Sequence, residues 1–220
     1  MLNKVFLLAV GSFNPPTNGH LRMFEDAKAF LEKSGKEVVG GMMSPVSDGY
    51  AKKTLIPSNH RLAMTIAALK DSDWIAADEW ECSQSQWTTT LDVLKFHDDT
   101  VKTVYGDDHG VVLLIGGDVV DTFAMKNADG TPVWETKDLV ALIKFGLVVQ
   151  PREGSNPKET IASIKELKDY ADQVLVIEGG VASNTVSSSA LRAAIADGRS
   201  IKYTTPETVI DYIKKHDLYK

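Results

Sequence analysis

Apolar residues along this chain follow two alternating rhythms. Unbroken apolar runs of strand length occur at 4–10 (Val5-Phe6-Leu7-Leu8-Ala9-Val10), 38–43, 74–76, 111–115, 146–149 and 174–177. Between and beyond them, apolar positions fall three and four residues apart. That spacing predicts amphipathic helices over 19–33, over "SNHRLAMTIAALKDS", and over 88–97, 119–123, 139–144, 158–170, 188–197 and 206–216. Ser58 or Asn59 is the expected N-cap of the second helix. Strands interleaved with helices pair in parallel through right-handed crossovers, and continuously apolar strands are covered on both faces. The expected fold is α/β, a doubly wound, mostly parallel sheet with helices on both faces. In such sheets ligands sit at the carboxyl ends of the strands, near a topological switch point. With no repeat, low-complexity tract or long linker, residues 1–220 read as one domain with a C-terminal helical part from about 188. The polar, acidic stretch 97–110 is expected to be a solvated connector.

Composition narrows the function. With 220 residues, 43% of them hydrophobic, the chain can bury a sizeable core. A net charge of -6 argues against a protein held to nucleic acid by a general basic surface, but leaves room for a local basic pocket. The single cysteine, Cys82, excludes an internal disulfide framework and fits a reducing compartment. No apolar run approaches the ~20 residues of a membrane span. The N-terminal run lacks a small-residue cleavage site and reads as a core strand rather than a signal peptide. No His/Cys cluster has zinc spacing; His60, His97, His109 and His216 are scattered and expected to be structural or solvated.

Two turns carry candidate chemistry. "GSFNPPTNGHL", residues 11–21, leaves the first strand through two glycines and two prolines and reaches His20 as a helix begins. Free N–H groups at a helix start attract phosphate, and a histidine there can donate a hydrogen bond to it or, if protonated, add charge. The bland alternative is that His20 only caps or packs. "NTVSSSALRAAI", residues 184–195, follows the last strand and places three serines at another helix start. Arg192 falls four residues after Ser188 and three after Ser189, on the same helical turn, with a guanidinium suited to paired oxygen contacts. Two such devices on separate strands suggest a polyphosphate held between two helix starts.

These stretches carry a resemblance. "GSFNPPTNGHL" resembles the GxFxPxTxxH form of the nucleotidylyltransferase signature, and "VSSSALR" resembles the ISSTxxR motif that closes the site. "MMSPVSDGYAKKTLIPSNHRLAM", "WECSQSQWTTTLDVL", "LLIGGDVVDTF", "VWETKDLVALIKFGLVVQPR" and "SIKYTTPETVIDYIKKHDLY" are similar to segments of the eukaryotic nicotinamide/nicotinic acid mononucleotide adenylyltransferases, over nearly the whole chain.

The resemblance implies a Rossmann-like nucleotidyltransferase fold and transfer of the adenylyl group of ATP to nicotinamide mononucleotide, and to nicotinic acid mononucleotide, with release of pyrophosphate. His20 and Arg192 would stabilise the triphosphate, with Lys52 or Lys53 also reaching phosphate. Gly11, Ser12 and Phe13 would line the centre, Ser188 and Ser189 would hold β- and γ-oxygens, and Arg152 would reach a phosphate or shield the site. Gly116 and Asp118 match the family's GxD, Asp118 contacting ribose or a magnesium-linked water; otherwise it is a helix cap. Asn184 would contact adenosine. Trp87, with Thr90 on the same helical face, would stack on the pyridine ring, and Val133 and Trp134 would help enclose it; packing in a core is the alternative for each tryptophan. Mg²⁺ would arrive with ATP, with no direct protein ligand. Gly180 stands where many relatives carry a ribose-binding glutamate, and Glu178 is two residues away. Neither a basic nuclear insert after His97 nor a presequence is visible, so the cytoplasm is the expected compartment, with no nucleic-acid or membrane partner and with self-association. The competing expectations are a nucleotidylyltransferase for another phosphorylated acceptor, such as a pantetheine phosphate, and a nucleotide-binding protein without turnover.

Overall fold

The computed structural model describes residues 2–50, 53–178 and 186–220. The elements run β1 (Lys4–Gly11), α1 (Asn18–Lys33), β2 (Glu37–Pro45), α2 (Ser58–Ala68), β3 (Ile75–Ala77), α3 (Thr90–Tyr105) and β4 (His109–Gly116). The second half continues with α4 (Gly117–Asp121), α5 (Thr136–Phe145), β5 (Leu147–Gln150), α6 (Pro157–Ser163), β6 (Val174–Val176), α7 (Ser188–Ala196) and α8 (Glu207–Lys215). The six strands form one sheet in the order β3-β2-β1-β4-β5-β6. Every pairing in it is parallel, as expected. The chain builds outward from β1 to β3, then returns to place β4 on the other side of β1. The switch point therefore lies between β1 and β4, beneath the opening turn.

Alternation along β1 divides the core. Val5, Leu7 and Ala9 pack with Phe24, Ala27 and Leu31 of α1, while Phe6 and Leu8 face Leu94 of α3 and Leu139, Leu142 and Ile143 of α5. A third cluster lies beside the sheet, where Met64 and Ala68 of α2 meet Leu191, Val209, Ile210 and Ile213. Burying an aliphatic side chain is worth about 1.5–3 kcal/mol. Three of them anchor α8, a nine-residue helix too short to be stable alone. No helix among the described residues is long and apolar enough to cross a membrane.

Three expectations are corrected. Pro57, not Ser58 or Asn59, occupies the N-cap of α2, and the Ser58 hydroxyl instead donates to Asp48 (2.9 Å). The stretch 97–110 is no solvated connector: α3 runs through it to Tyr105. Its polar residues mislead because His97, Asp98 and Val101 all point inward. The Asp98 carboxylate accepts from the Val111 N–H (3.0 Å) and from Lys102 (2.6 Å), tying the helix to β4. The helix expected over 158–170 stops at Ser163 and gives way to a tight 3₁₀ turn over Lys168–Gln173. Ile161 and Leu167 are both buried in one core cluster. Six residues of unbroken helix would set them about 120° apart around the axis, and the break lets both turn into the same cluster.

Candidate active site

β1 delivers the chain into a turn whose carbonyl oxygens are engaged by the surrounding protein. Gly11 O accepts from the Val46 N–H (3.0 Å) and Ser12 O from Arg61 Nη1 (3.4 Å). Asn14 O accepts from Arg192 Nη1 (2.8 Å), Pro15 O from Ser188 Oγ (2.7 Å) and Pro16 O from Thr205 Oγ1 (2.8 Å). Acceptors that would repel a polyphosphate are thus occupied, and two of the donors, Ser188 and Arg192, come from the closing motif, so the two sequence motifs are bonded to each other. Phe13 holds φ 41°, a value that favours glycine, with its buried ring set edge-on to His20 at 5.2 Å. Strain of this kind persists only where the surroundings enforce it.

His20 both caps its helix and lines the cavity. Thr17 is the N-cap: its hydroxyl oxygen accepts from the His20 N–H (3.3 Å), and His20 Nδ1 accepts from the Thr17 N–H (3.0 Å). An accepting Nδ1 places the ring proton on Nε2. Burial, and secondarily the positive charge of Arg152, push the His20 pKa down to about 4. The added positive charge considered for His20 is therefore absent near neutral pH; the ring acts as a neutral donor.

At the closing motif Ser187 caps α7, accepting from the Ala190 N–H (3.2 Å). That frees Ser188 for the opening turn and leaves Ser189 Oγ accepting from Arg192 Nη2 (3.2 Å). A cavity of about 250 Å³ is lined by Gly11, Ser12, Phe13, His20, Ser188, Ser189 and Arg192, and also by Gly116, Asp118 and Arg152 from the ends of β4 and β5. Gly116, rather than Asp118, is the N-cap of α4. The Asp118 carboxylate folds back over it, 3.3 Å from Arg152 Nε. A Cβ on Gly116 would lie 2.4 Å from Asp118 Oδ1, and one on Gly117 2.3 Å from Ser155 Oγ. Ser155 Oγ accepts from the Arg152 N–H (2.9 Å), so the bare glycine backbone is what lets the Arg152 turn close.

The family model for cytidylyltransferase-like proteins matches residues 8–194. The chain is 48% identical over 221 residues to nicotinamide/nicotinic acid mononucleotide adenylyltransferase 2 of Caenorhabditis elegans, spanning 100% of this chain and 99% of that protein. The chain belongs to the nicotinamide/nicotinic acid mononucleotide adenylyltransferases. It is accordingly a nucleotidyltransferase of NAD biosynthesis. The Arabidopsis thaliana member of the family is 41% identical over 220 residues, covering 98% of this chain and 90% of that one. The fold matches the solved Plasmodium falciparum nicotinic acid mononucleotide adenylyltransferase complexed with NaAD, with a TM-score of 0.68 at 22% identity, covering 98% of this chain and 97% of the other.

In this member of the family, the residues expected at the pyridine ring lie outside the cavity. Trp87 is 54% exposed and precedes Thr89, the cap of α3, so it shares no helical face with Thr90. What holds it is the neighbouring loop: a Cβ on Gly49 would stand 2.7 Å from Trp87 N, and Ser47 Oγ donates to Gln86 O (3.4 Å). Trp134 donates from Nε1 to Thr122 Oγ1 (2.8 Å) and meets Phe123 edge-on at 5.1 Å, while Val133 beside it is exposed. Lys53 is exposed. Lys52, Gly180 and Asn184 lie outside the described residues.

Several neighbouring residues escaped sequence reasoning. Arg61, a charged residue in the helix expected over "SNHRLAMTIAALKDS", is 0% exposed and donates to Ile56 O (2.9 Å), Ser12 O and Asp48 (2.9 Å). Asp78 Oδ1 accepts from Ser44 Oγ (3.1 Å) and the Trp80 N–H (3.1 Å) and lies 3.1 Å from His97 Nε2. Beside them Glu81 is 1% exposed, with Oε2 unpartnered. Burial, and then the charge of Asp78, raise its pKa to about 8 against the opposing pull of Arg61 and Ser44. Asn14 and Tyr219 are two more such residues.

Proposed function

We propose that this chain carries out the reaction its family is named for. It transfers the adenylyl group of ATP to nicotinamide mononucleotide, and to nicotinic acid mononucleotide, forming NAD or its deamido form and pyrophosphate. The observation that supports this most is the convergence of His20, Ser188, Ser189 and Arg192, from helices 168 residues apart in sequence at His20 and Ser188, on one cavity at the switch point. A phosphate oxygen of the mononucleotide attacks the α-phosphorus of ATP, the bond from that phosphorus to the bridging oxygen breaks, and its electron pair leaves with pyrophosphate. No covalent enzyme intermediate is needed, so positioning and charge neutralisation carry the catalysis. His20 donates from Nε2 and Arg192 from its guanidinium to the departing oxygens. Ser188 and Ser189 with their backbone amides, and the amides of Gly11, Ser12 and Phe13, hold the remaining phosphate oxygens, and Lys52 or Lys53 adds charge.

Mg²⁺ fits the residues present. Among the described residues no group of three or more His, Cys, Asp or Glu could hold a metal by itself, whereas the partly exposed Asp118 carboxylate at the cavity edge suits an ion held mainly by phosphates and water. The ion would supply further neutralisation of the phosphate oxygens. Arg152 orients Asp118, and Asn184 contacts adenosine. Trp87, Thr90, Val133 and Trp134 take the pyridine end. We place the activity in the cytoplasm, in a single domain that self-associates, without nucleic-acid or membrane partners. A coupled assay with ATP and Mg²⁺ across nicotinamide, nicotinic acid and pantetheine-type phosphate acceptors tests the proposal. NAD and its deamido form should accumulate with equimolar pyrophosphate; pyrophosphate release with the pantetheine acceptor alone, or no turnover at all, would refute it.

A further inference from the structure

Three distant segments meet at one buried amide. Asn14 is 1% exposed and lines the cavity. Its backbone oxygen takes the Arg192 bond, its Nδ2 donates to Thr54 O (2.8 Å), and its Oδ1 accepts from the Tyr219 hydroxyl (2.8 Å). Thr54 Oγ1 accepts in turn from Arg192 Nη2 (3.4 Å), which closes a ring of Asn14, Thr54 and Arg192, with Tyr219 bonded to its Asn14 member from outside. The direction of these bonds is set by the Thr54 carbonyl, which can only accept and so faces the Asn14 NH₂ group. The Asn14 oxygen is thereby turned toward Tyr219, whose hydroxyl donates to it. Burial raises the Tyr219 pKa, which keeps the phenol protonated across the physiological range. Thr54 directly follows Lys53 in the chain. The end of the chain reaches this position by folding back: the Leu218 N–H donates to Ile213 O (3.1 Å), and Asp217 and Tyr219 take φ 55° and 67°.

We propose that Tyr219 is a positioning residue for adenylyl transfer, its hydroxyl locking the Asn14 amide that joins the opening turn, Arg192 and the lysine-bearing segment at the triphosphate. The inference rests on the adenylyltransferase reading above. It separates from a packing role because phenylalanine keeps the ring and loses only the hydroxyl. In the full-length protein Tyr219→Phe should lower kcat/KM for ATP roughly tenfold, the scale on which an unpaired buried acceptor is felt. KM for the mononucleotide should stay within about twofold and the melting temperature close to that of the parent. In an Asn14→Ala background the same change should add nothing, because the acceptor is already gone. Parental kinetics in Tyr219→Phe overturn the inference. So does a lower melting temperature with unchanged kcat/KM, or a full loss that persists in the Asn14→Ala background. Should Tyr219→Phe prove insoluble, Asn14→Ala by itself removes the acceptor of the Tyr219 hydroxyl and must reproduce the ATP-side loss; parental kinetics there overturn the inference equally. An inactive parent protein would instead overturn the reading of the function, and the two failures are distinct.

Discussion

The phosphate end and the acceptor end proposed for this site are built differently. At the phosphate end, hydrogen bonds from Arg61, Arg192, Ser188 and Thr205 hold the carbonyls of residues 12, 14, 15 and 16 before any ligand arrives. At the proposed acceptor end Trp87 stands largely in solvent, with the close backbone of Gly49 and one long hydrogen bond from Ser47 beside its segment. On the proposed reading, charge would be met by a preorganised surface, where reorganisation during the reaction would be most costly, and an aromatic ring by an exposed one, whose contact would form on binding. Rate should therefore be sensitive to the first region, and acceptor affinity to the second.

The largest effect is expected from His20→Ala. Loss of a positioned donor to developing charge costs about 10²–10³-fold in kcat. The same mutation removes one capping bond, worth on the order of 1 kcal/mol, so thermal unfolding should move only slightly. A parental rate, or collapse of the fold, would erase the distinction between a rate-setting and a structural region.

Arg192→Lys comes next. The planar fork reaches Asn14, Ser189 and Thr54 together, which a single ammonium cannot do. We expect kcat and kcat/KM to fall together by roughly 10–100-fold with little change in KM for ATP. Combined with His20→Ala the loss should be well below the product of the two, since both groups face the same departing oxygens. Strict additivity in steady-state kinetics would mean that the two turns do not hold one polyphosphate.

Trp87→Ala probes the other region. A stacking contact worth about 0.5–1.5 kcal/mol predicts mononucleotide binding weakened by roughly 2–12-fold, with ATP affinity kept. Calorimetric titration of each ligand separately decides it; equal weakening of both would show that the exposed tryptophan supports the whole site.

The smallest effect concerns Glu81, buried within reach of the charges of Asp78 and Arg61 and of the Ser44 hydroxyl. Its pKa is raised in the folded protein from 4.5 to about 8. A raised carboxyl pKa contributes stability that is fully present below the unfolded value and is lost as pH rises toward the folded one. Glu81→Gln should therefore gain in melting temperature relative to the parent as pH rises from about 5 to 8. A difference that is flat with pH, measured by thermal melts, would place Glu81 outside this polar cluster's electrostatics.

The sequence by itself determined the parallel sheet, the order of its elements and the two helix starts that meet the phosphates. These rest on local periodicity and on contiguous motifs, and His20, Ser188, Ser189 and Arg192 could be read directly from them. Tertiary structure alone decided how those residues are held and charged. Tyr219 lies 205 positions from Asn14 and Arg192 178 from its carbonyl partner, separations with no local signature. The neutrality of His20 depends on the walls around it and on Arg152. Polar residues such as Asp98 and Arg61 look solvated in one dimension, because only in three dimensions do the backbone groups that satisfy them come within reach.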